Sequence, residues 1–453
     1  MSENQSDRGS TGPSVNLSPQ IEARGFNITP TRTQTRAWQA VSKLFENLRH
    51  GQLTVVVPDG RRRSFGDPAT ETKSVLTIHS WDFFRRMLSG GSIGVGESYM
   101  AGEWEADDLV AMIRVVVANR KELKSITAST IISVLADKAM HASRANRIGQ
   151  SQENIQAHYD LSNDLYKLFL DETLTYSAAK FPFPGASLEE AQRNKYAALA
   201  QKAQVTSDCH VLEIGCGWGG FAIYAAGEIG CKVTGITLSA EQLDLARERV
   251  TAAGLDHLVT LELIDYRLVT PPRGGFDRVV SIEMLEAVGH KFLGTYFAQV
   301  DRLLSPDGLA SIQVITIPEQ RYGNYLARPD FIQKHIFPGG HIPSLEAMAG
   351  AMGKNSELYI EHVENVGMDY AETLRQWRQN FMGNLDEVRA LGFDDRFIRM
   401  WEFYFAYCEG AFLARYINDL QLVLTRTMNA TLGTAPYEQA TPLQLVPANE
   451  RAA

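Results

Sequence analysis

The residues best placed to do chemistry lie in the stretch HVLEIGCGWGGFA at 210–222, which has the pattern of an apolar strand, a glycine turn and a helix start. Gly215, Gly217 and Gly220 would let the backbone approach a ligand where a Cβ atom would collide with it. The first amides of the following helix favour an anionic group such as a carboxylate or a phosphate. This turn is the first candidate binding site, and a tight turn without a ligand is the alternative.

The same glycines match G-x-G-x-x-G, a pattern that also occurs where a dinucleotide binds. In a dinucleotide-binding fold the next strand usually ends in an aspartate or glutamate that contacts the ribose. Here the next strand, KVTGITLS at 232–239, has Thr237 at that place. The second strand therefore argues against a dinucleotide.

From Val205 onward the chain alternates between strand and helix patterns, which predicts an α/β fold with a parallel sheet. We expect strands at 210–215, 232–237, 258–264, 276–282 and 308–317, and helices at about 218–229, 239–253 and 291–304. Ligands of such folds bind at the carboxyl ends of the strands. The polar side chains at those ends are Glu213, Thr237, Asp265, Glu283 and Gln313.

A long insertion at 318–343 follows the last of these strands, and insertions of this length are more often functional than filler. Beyond it we expect a strand at 357–363, helices at about 371–380 and 394–416, and a closing strand near 420–425. Upstream of the sheet, a polar trio of His158, Tyr159 and Asp160 adjoins aromatic and aliphatic residues at helical spacing.

The sequence divides into five regions. Residues 1–35 and 431–453 are expected to be flexible tails. Residues 36–120 predict a small α+β domain, with strands at 53–57, 61–65 and 74–78, a helix capped by Ser80 that stops at Gly90 and Gly91, and a helix at about 107–119. Its element order is similar to the sterol-carrier type of lipid-binding fold, and a structural or dimerising domain is the alternative. A linker covers 121–150, and the main domain covers 151–430.

The composition is that of a globular protein of 453 residues, 44% hydrophobic and 21% charged. A net charge of −9 gives little support for a nucleic-acid partner. No apolar run approaches the ~20 residues that a membrane span needs, and the polar start lacks a signal-peptide pattern. The four cysteines lack C-x-x-C spacing, so we expect buried thiols in a reducing compartment and no disulfide framework or metal site.

An ordered set of short motifs resembles class I S-adenosylmethionine-dependent methyltransferases, and more closely the cyclopropane fatty acid and mycolic acid cyclopropane synthase family. In chain order the motifs are 158–160, 176–177, the glycine loop, 237–242, 286–289, 296–297, 336–339 and 369–370. The stretch GSIGVGESYMAGEW at 91–104 also resembles the amino-terminal domain of the full-length bacterial enzymes. The resemblance implies a Rossmann-like methyltransferase sheet with helical lid insertions.

The resemblance also implies a role for each matching position. S-adenosylmethionine would lie against Tyr176, Ser177, Gly215, Gly217, Thr237, Leu238, Gln242, Asp265 and Tyr266, from its methionine end to its adenine. In this family a bicarbonate ion acts as the base, held by a glutamate, a histidine, a tyrosine and backbone amides. The matching catalytic positions are Glu286, Gln313, Tyr370, Ile315 and Ala178. No metal is implied.

Two of these positions depart from the family pattern. Ala178 replaces the usual cysteine, which contributes mostly its backbone. Gln313 replaces the usual histidine, and an amide can donate a hydrogen bond but cannot titrate. The departures resemble members that methylate unsaturated acyl chains without always closing a ring, so the product stays open between a cyclopropane and a methylene or methyl branch.

The activity that the resemblance implies is methylation of the double bond in unsaturated acyl chains of phospholipids. It further implies peripheral contact with the cytoplasmic face of the inner membrane, a homodimer and a reductase as a possible partner. Two alternatives remain at this point: a small-molecule N- or O-methyltransferase on the same sheet, and a lipid-binding protein without activity.

Overall fold

The computed structural model describes residues 26–123 and 162–432. The expected trio His158, Tyr159 and Asp160, most of the linker at 121–150, residues 1–25 of the first tail and the chain after 432 lie outside the described residues.

The amino-terminal part is an α+β unit, as the sequence predicts. Its sheet has the strand order β2-β1-β3-β4, with β1 parallel to β3 and the other pairs antiparallel. The elements are α1 (Arg32–Phe45), β1 (Gln52–Val56), β2 (Arg62–Gly66), β3 (Lys73–Ile78), α2 (Asp82–Met100), β4 (Trp104–Ala106) and α3 (Leu109–Ala118).

Two boundaries in this unit differ from the prediction. Helix α1 begins at Arg32 after a capping box on Thr31, so ordered structure starts before residue 36. The helix predicted to stop at Gly90 and Gly91 bends at Gly91, whose φ is 53°, and continues to Met100. It starts at Asp82 with Trp81 as its N-cap, so Ser80 is not the cap that the sequence predicts, although the Ser80 hydroxyl accepts from the Asp82 backbone N–H at 3.3 Å.

The main domain is built on a seven-stranded sheet with the order β10-β11-β9-β8-β5-β6-β7. The five strands from β9 to β7 in that order are parallel, and β11 runs antiparallel to both β9 and β10. The strands are β5 (His210–Ile214), β6 (Lys232–Thr237), β7 (Val259–Leu263), β8 (Phe276–Ile282), β9 (Leu304–Thr316), β10 (Leu358–Asn365) and β11 (Asn418–Arg426). The predicted α/β fold class is confirmed.

The helices of the main domain include the five whose ranges the sequence predicts. They are α4 (Asn163–Lys167), α5 (Leu188–Lys202), α6 (Gly220–Tyr224), α7 (Ala240–Ala252), α8 (Leu293–Leu303), α9 (Glu319–Ala327), α10 (Phe331–His335), α11 (Leu345–Asn355), α12 (Gly367–Gly383), α13 (Leu385–Ala390) and α14 (Asp395–Leu413). Helix α6 continues as a π-helical turn over Ala225–Ile229. No range was predicted for the other six helices, which are α4, α5, α9, α10, α11 and α13.

Helix α14 joins the two parts, because it packs against both α2 and α3 as well as α12. Arg399 of α14 is buried and donates from Nε to the Tyr99 carbonyl at 2.5 Å and from Nη2 to the Trp104 carbonyl at 2.7 Å. The Tyr99 hydroxyl donates to Glu402 at 2.7 Å. One continuous apolar core therefore spans both parts of the described chain.

Among the described helices, none combines the length and the apolar character needed to cross a membrane.

Candidate active site

A pocket opens at the carboxyl ends of β5, β6 and β8, where the sequence places the glycine loop. It encloses about 970 Å³ of empty space including its open mouth. The expected cofactor residues that line it are Tyr176, Ser177, Gly215, Gly217, Thr237, Leu238, Gln242 and Tyr266.

The glycines of the loop have different reasons for being glycine. Gly217 has a φ of 50°, and a Cβ atom built on it would have no neighbour within 4 Å, so this position faces open pocket space. Gly220 also lines the pocket, but the direction of its missing side chain points into packed protein. A Cβ atom there would lie 2.3 Å from the Tyr196 hydroxyl and 3.0 Å from the Thr173 carbonyl, so Gly220 is required by the packing of α6 against α5.

The end of β6 supplies neutral polar groups to the pocket. The Thr237 hydroxyl donates to Gln242 Oε1 at 3.2 Å, and both side chains are buried. Ser239 caps α7 by accepting from the Gln242 backbone N–H at 3.3 Å. Hydroxyl and amide groups in this position can hydrogen-bond a ribose without adding charge.

Asp265 is the expected cofactor residue that does not line the pocket. Its carboxylate forms an ion pair with Arg267, accepting from Nε at 2.8 Å and from the Arg267 backbone N–H at 2.9 Å. The ion pair caps a short 3-10 turn and leaves Tyr266 as the neighbour that reaches the pocket.

Three donors expected to hold an anion converge at the end of β8, and they converge on Glu283. Its Oε1 accepts from the Ala178 backbone N–H at 2.7 Å and from Gln313 Nε2 at 2.9 Å, while its Oε2 accepts from the Tyr370 hydroxyl at 2.8 Å. Burial raises the pKa of Tyr370, so its hydroxyl keeps the proton that it donates. The sequence analysis named Glu283 only as a strand-end carboxylate.

Glu286 does not hold this cluster together, contrary to the expectation. Its Oε1 accepts from the Ile315 backbone N–H at 2.5 Å. Within the described part of the chain its buried Oε2 has no hydrogen-bond partner. Burial, and secondarily the nearby Glu283 charge, raise the pKa of Glu286 to about 8. The raised pKa of Glu286 therefore favours its protonated form at neutral pH, while the three donors on Glu283 favour the charged form of that carboxyl.

A buried lysine that the sequence analysis missed balances this charge. Lys195 lies on α5, is fully buried and donates from Nζ to the Ser177 hydroxyl at 2.6 Å. Burial lowers the pKa of Lys195 to about 8, and the charge of Glu283 opposes that shift. Burial raises the pKa of Glu283, and Lys195 opposes it in turn. No motif marked Lys195, because a lysine in a polar helix has the pattern of a solvated residue.

A second, apolar cavity adjoins the cofactor pocket, and the insertion at 318–343 forms much of its wall. It has about 1390 Å³ of empty space, its open mouth included, and is lined by aromatic and aliphatic side chains from α9, α10, the segment after α10, α12 and α14, among them Tyr325, Phe337, Leu374, Tyr404 and Phe412. Tyr176, Glu283 and Ala287 line both cavities. The insertion thus lines a cavity beside the cofactor pocket, and its function stays a prediction.

A bicarbonate ion does not fit the cluster as it stands. The donors from Ala178, Gln313 and Tyr370 are already engaged by the Glu283 carboxylate. An added anion would lie against the Glu283 carboxylate in a buried setting, where like charges repel strongly. The Glu283 carboxylate thus engages the donors that were expected to hold a bicarbonate ion.

Comparison with known proteins identifies the family of this chain. A family model described as mycolic acid cyclopropane synthetase matches residues 146–422. The chain belongs to this family. The tuberculostearic acid methyltransferase of Mycobacterium tuberculosis is 42% identical over 385 residues, covering 83% of this chain and 88% of that protein. The cyclopropane-fatty-acyl-phospholipid synthase of Escherichia coli (strain K12) is 37% identical over 369 residues, covering 80% and 90%.

A solved structure of the family leads to the same conclusion. The mycolic acid cyclopropane synthase CmaA1, complexed with SAH and CTAB, superposes with a TM-score of 0.56 at 30% identity, covering 60% of this chain and 97% of that one. The chain is an S-adenosylmethionine-dependent methyltransferase of the cyclopropane and fatty acid methyltransferase family. The family and the enzyme class expected from the sequence are confirmed.

Proposed function

We propose that this enzyme transfers the methyl group of S-adenosylmethionine to the double bond of an unsaturated fatty acyl chain of a phospholipid. The observation that carries the proposal is the meeting of the cofactor pocket and the apolar cavity at Tyr176, Glu283 and Ala287. An alkene in the cavity would reach the sulfonium methyl only at this junction.

The junction suits the demands of the reaction. An isolated alkene is a poor nucleophile, so the rate depends on holding the methyl group close to and in line with the double bond. Methyl transfer leaves a carbocation on the chain, and an apolar wall excludes the water that would trap it. Aromatic faces such as those of Tyr176, Phe337 and Tyr404 also stabilise a nearby cation.

The names of the relatives support an acyl substrate. One is named a cyclopropane-fatty-acyl-phospholipid synthase and another a tuberculostearic acid methyltransferase. Both describe lipid products, which favours a fatty acyl chain over a small N- or O-nucleophile.

The test is methyl transfer from carbon-14-labelled S-adenosylmethionine to phospholipid vesicles with cis-unsaturated chains. We expect label in the acyl chain, and none with matched saturated vesicles. Unsaturated acyl thioesters and free fatty acids are the parallel substrates. If thioesters or free fatty acids become labelled but vesicles do not, phospholipids are excluded as the substrate. The absence of acyl label from all of them would contradict the proposal.

A second candidate product is a methylene or methyl branch, favoured by Gln313 in place of a histidine and by the 42% identity to the tuberculostearic acid methyltransferase. Ring and methylene products have the same mass, but proton NMR separates them, because ring methylene protons resonate upfield and vinyl protons far downfield. Ring product alone would exclude the branch. Saturation of a methylene branch would require the reductase partner.

We further propose peripheral association with the cytoplasmic face of the inner membrane and a homodimer formed through the amino-terminal unit. The lipid substrate supports the membrane association, and the prevalence of two-fold dimers among oligomers supports the homodimer. Co-flotation with unsaturated vesicles at low and high salt tests the first part, and failure at both would contradict it. Light scattering tests the second, with a monomer near 50.3 kDa as the contrary result.

A further inference from the structure

We propose that the carboxylate of Glu283 takes the place of a bound anion and is the base that removes the proton after methyl transfer. The inference rests on the proposed function for its substrate. It differs from the family expectation, in which a bicarbonate ion performs this step and Glu286 helps to hold it.

The carboxylate of Glu283 is held by three hydrogen-bond donors. Its two oxygens accept from a backbone amide, a side-chain amide and a phenol, at 2.7, 2.9 and 2.8 Å. A planar anion bound by the same donors would have the same oxygen positions, so a carboxylate on the chain replaces it in shape and charge. Gln313 is itself held by Gln421, whose Nε2 donates to Gln313 Oε1 at 2.9 Å.

The backbone at Glu283 gives an independent observation. Its φ is 50°, in the left-handed region where glycine is favoured and a long side chain is strained. Residues in such strained conformations cluster at active sites. The proposed role of its carboxylate as the base explains why a glutamate has this conformation at the end of β8.

Glu283 lies where the two cavities meet. It lines both the cofactor pocket and the apolar cavity, whereas Glu286 lines only the cavity. The carbon that needs deprotonation is the newly transferred methyl, which lies where the two cavities meet. Glu283 is the acidic side chain of the described cavity walls that reaches both.

The proposed step balances without another reactant. The alkene π electrons form the bond to the methyl carbon, and the S–CH₃ electron pair returns to sulfur, giving S-adenosylhomocysteine and a chain carbocation. Glu283 then takes a proton from the new methyl carbon. The released C–H pair closes a cyclopropane or, after a hydride shift between the two former alkene carbons, forms the methylene double bond.

The first test compares Glu283→Gln with Glu286→Gln. Glutamine at 283 keeps the size of the side chain but cannot accept a proton, so we expect turnover to fall about 10²–10⁴-fold with cofactor affinity retained. Glutamine at 286 can still accept from the Ile315 N–H, so turnover should fall less. The reverse order, or full turnover of Glu283→Gln, would overturn the proposal.

The second test uses Glu283→Gly, which empties the site and suits the backbone. We expect inactivity in anion-free buffer and partial rescue by bicarbonate, formate or acetate. The wild-type enzyme should keep full turnover in bicarbonate-depleted buffer, and dependence on added bicarbonate would overturn the proposal. Gln204→Gly is the matched control, because Gln204 also has a φ of 50° but is exposed and far from the site.

A binding readout separates this inference from the proposed function. In a carbon-13 bicarbonate NMR titration, Glu283→Gly should broaden the bicarbonate signal and the wild-type protein should not. Specific bicarbonate binding by the wild type would overturn the role of Glu283. Lack of acyl methylation by the wild type would instead count against the proposed substrate, and the titration would still decide how the anion site is filled.

Discussion

Two glutamates three residues apart follow strand β8, and their surroundings give them different charges. Glu283 accepts three hydrogen bonds, which oppose the effect of burial on its pKa, while Glu286 accepts one and has its pKa raised to about 8. Environments that push the protonation of neighbouring carboxyls apart are typical of acid–base sites. Sequence similarity alone assigns the catalytic role to Glu286, because the family motif contains no signal for Glu283.

The proton on Glu286 predicts a pH dependence of stability. The folded protein binds this proton more tightly than the unfolded chain, so its contribution is full below the unfolded pKa of 4.5 and is lost as pH rises toward about 8. In that window the free energy of unfolding of the wild type should fall, relative to Glu286→Gln, by at most about 1.4 kcal/mol per pH unit. Urea unfolding at several pH values checks this, and parallel slopes for the two proteins would contradict it.

Gly217 is the residue of the glycine loop whose side-chain space is open to the ligand. Gly217→Val should abolish S-adenosylmethionine binding in calorimetry, because the added side chain fills the space into which the cofactor fits and strains a φ of 50°. Gly254→Val is the control, since Gly254 has a φ of 71°, open space around its Cβ position and a location outside the pocket. Unchanged affinity in a folded Gly217→Val protein would contradict the assignment.

At the scale of elements, the alternating pattern predicted the five parallel strands closely, because buried strands give short apolar runs with glycines and turns between them. Helix α5 was not predicted, because its sequence, LEEAQRNKYAALAQK, is largely polar and lacks a clear apolar stripe. Its capping box at Ser187 and Glu190 was the available signal. The contacts of Lys195 and Tyr196 could not follow from local pattern, since they depend on long-range packing.

Helices α5 and α6 are coupled through Tyr196 and Gly220. Gly220→Ala should cost about 1–3 kcal/mol, because its Cβ atom would lie 2.3 Å from the Tyr196 hydroxyl. Removing that hydroxyl in Tyr196→Phe should recover part of the loss. In a double-mutant cycle from denaturant unfolding, we expect a coupling of about 0.5–3 kcal/mol. Additive effects of the two changes would show that the helices do not meet as described.

At the scale of the whole molecule, the amino-terminal unit and the main domain share one core along α14. Arg399→Ala would leave the Tyr99 and Trp104 carbonyls without their donor and Glu402 without its nearby cation, so we expect a loss of about 3–5 kcal/mol. Arg396→Ala, on an exposed position of the same helix, should stay within about 0.5 kcal/mol. Calorimetry should also show one transition for the wild type. Two well-separated transitions would contradict a shared core.

The central claim is that one site first methylates an acyl chain and then deprotonates the carbon that it has added. Trideuteromethyl S-adenosylmethionine tests both steps in a single measurement of product mass. We predict an acyl product that has gained the methyl carbon and lost one of its deuterons, with Glu283→Gln forming little of it. An acyl chain that keeps every deuteron, or an unlabelled acyl chain beside consumed cofactor, would contradict the account.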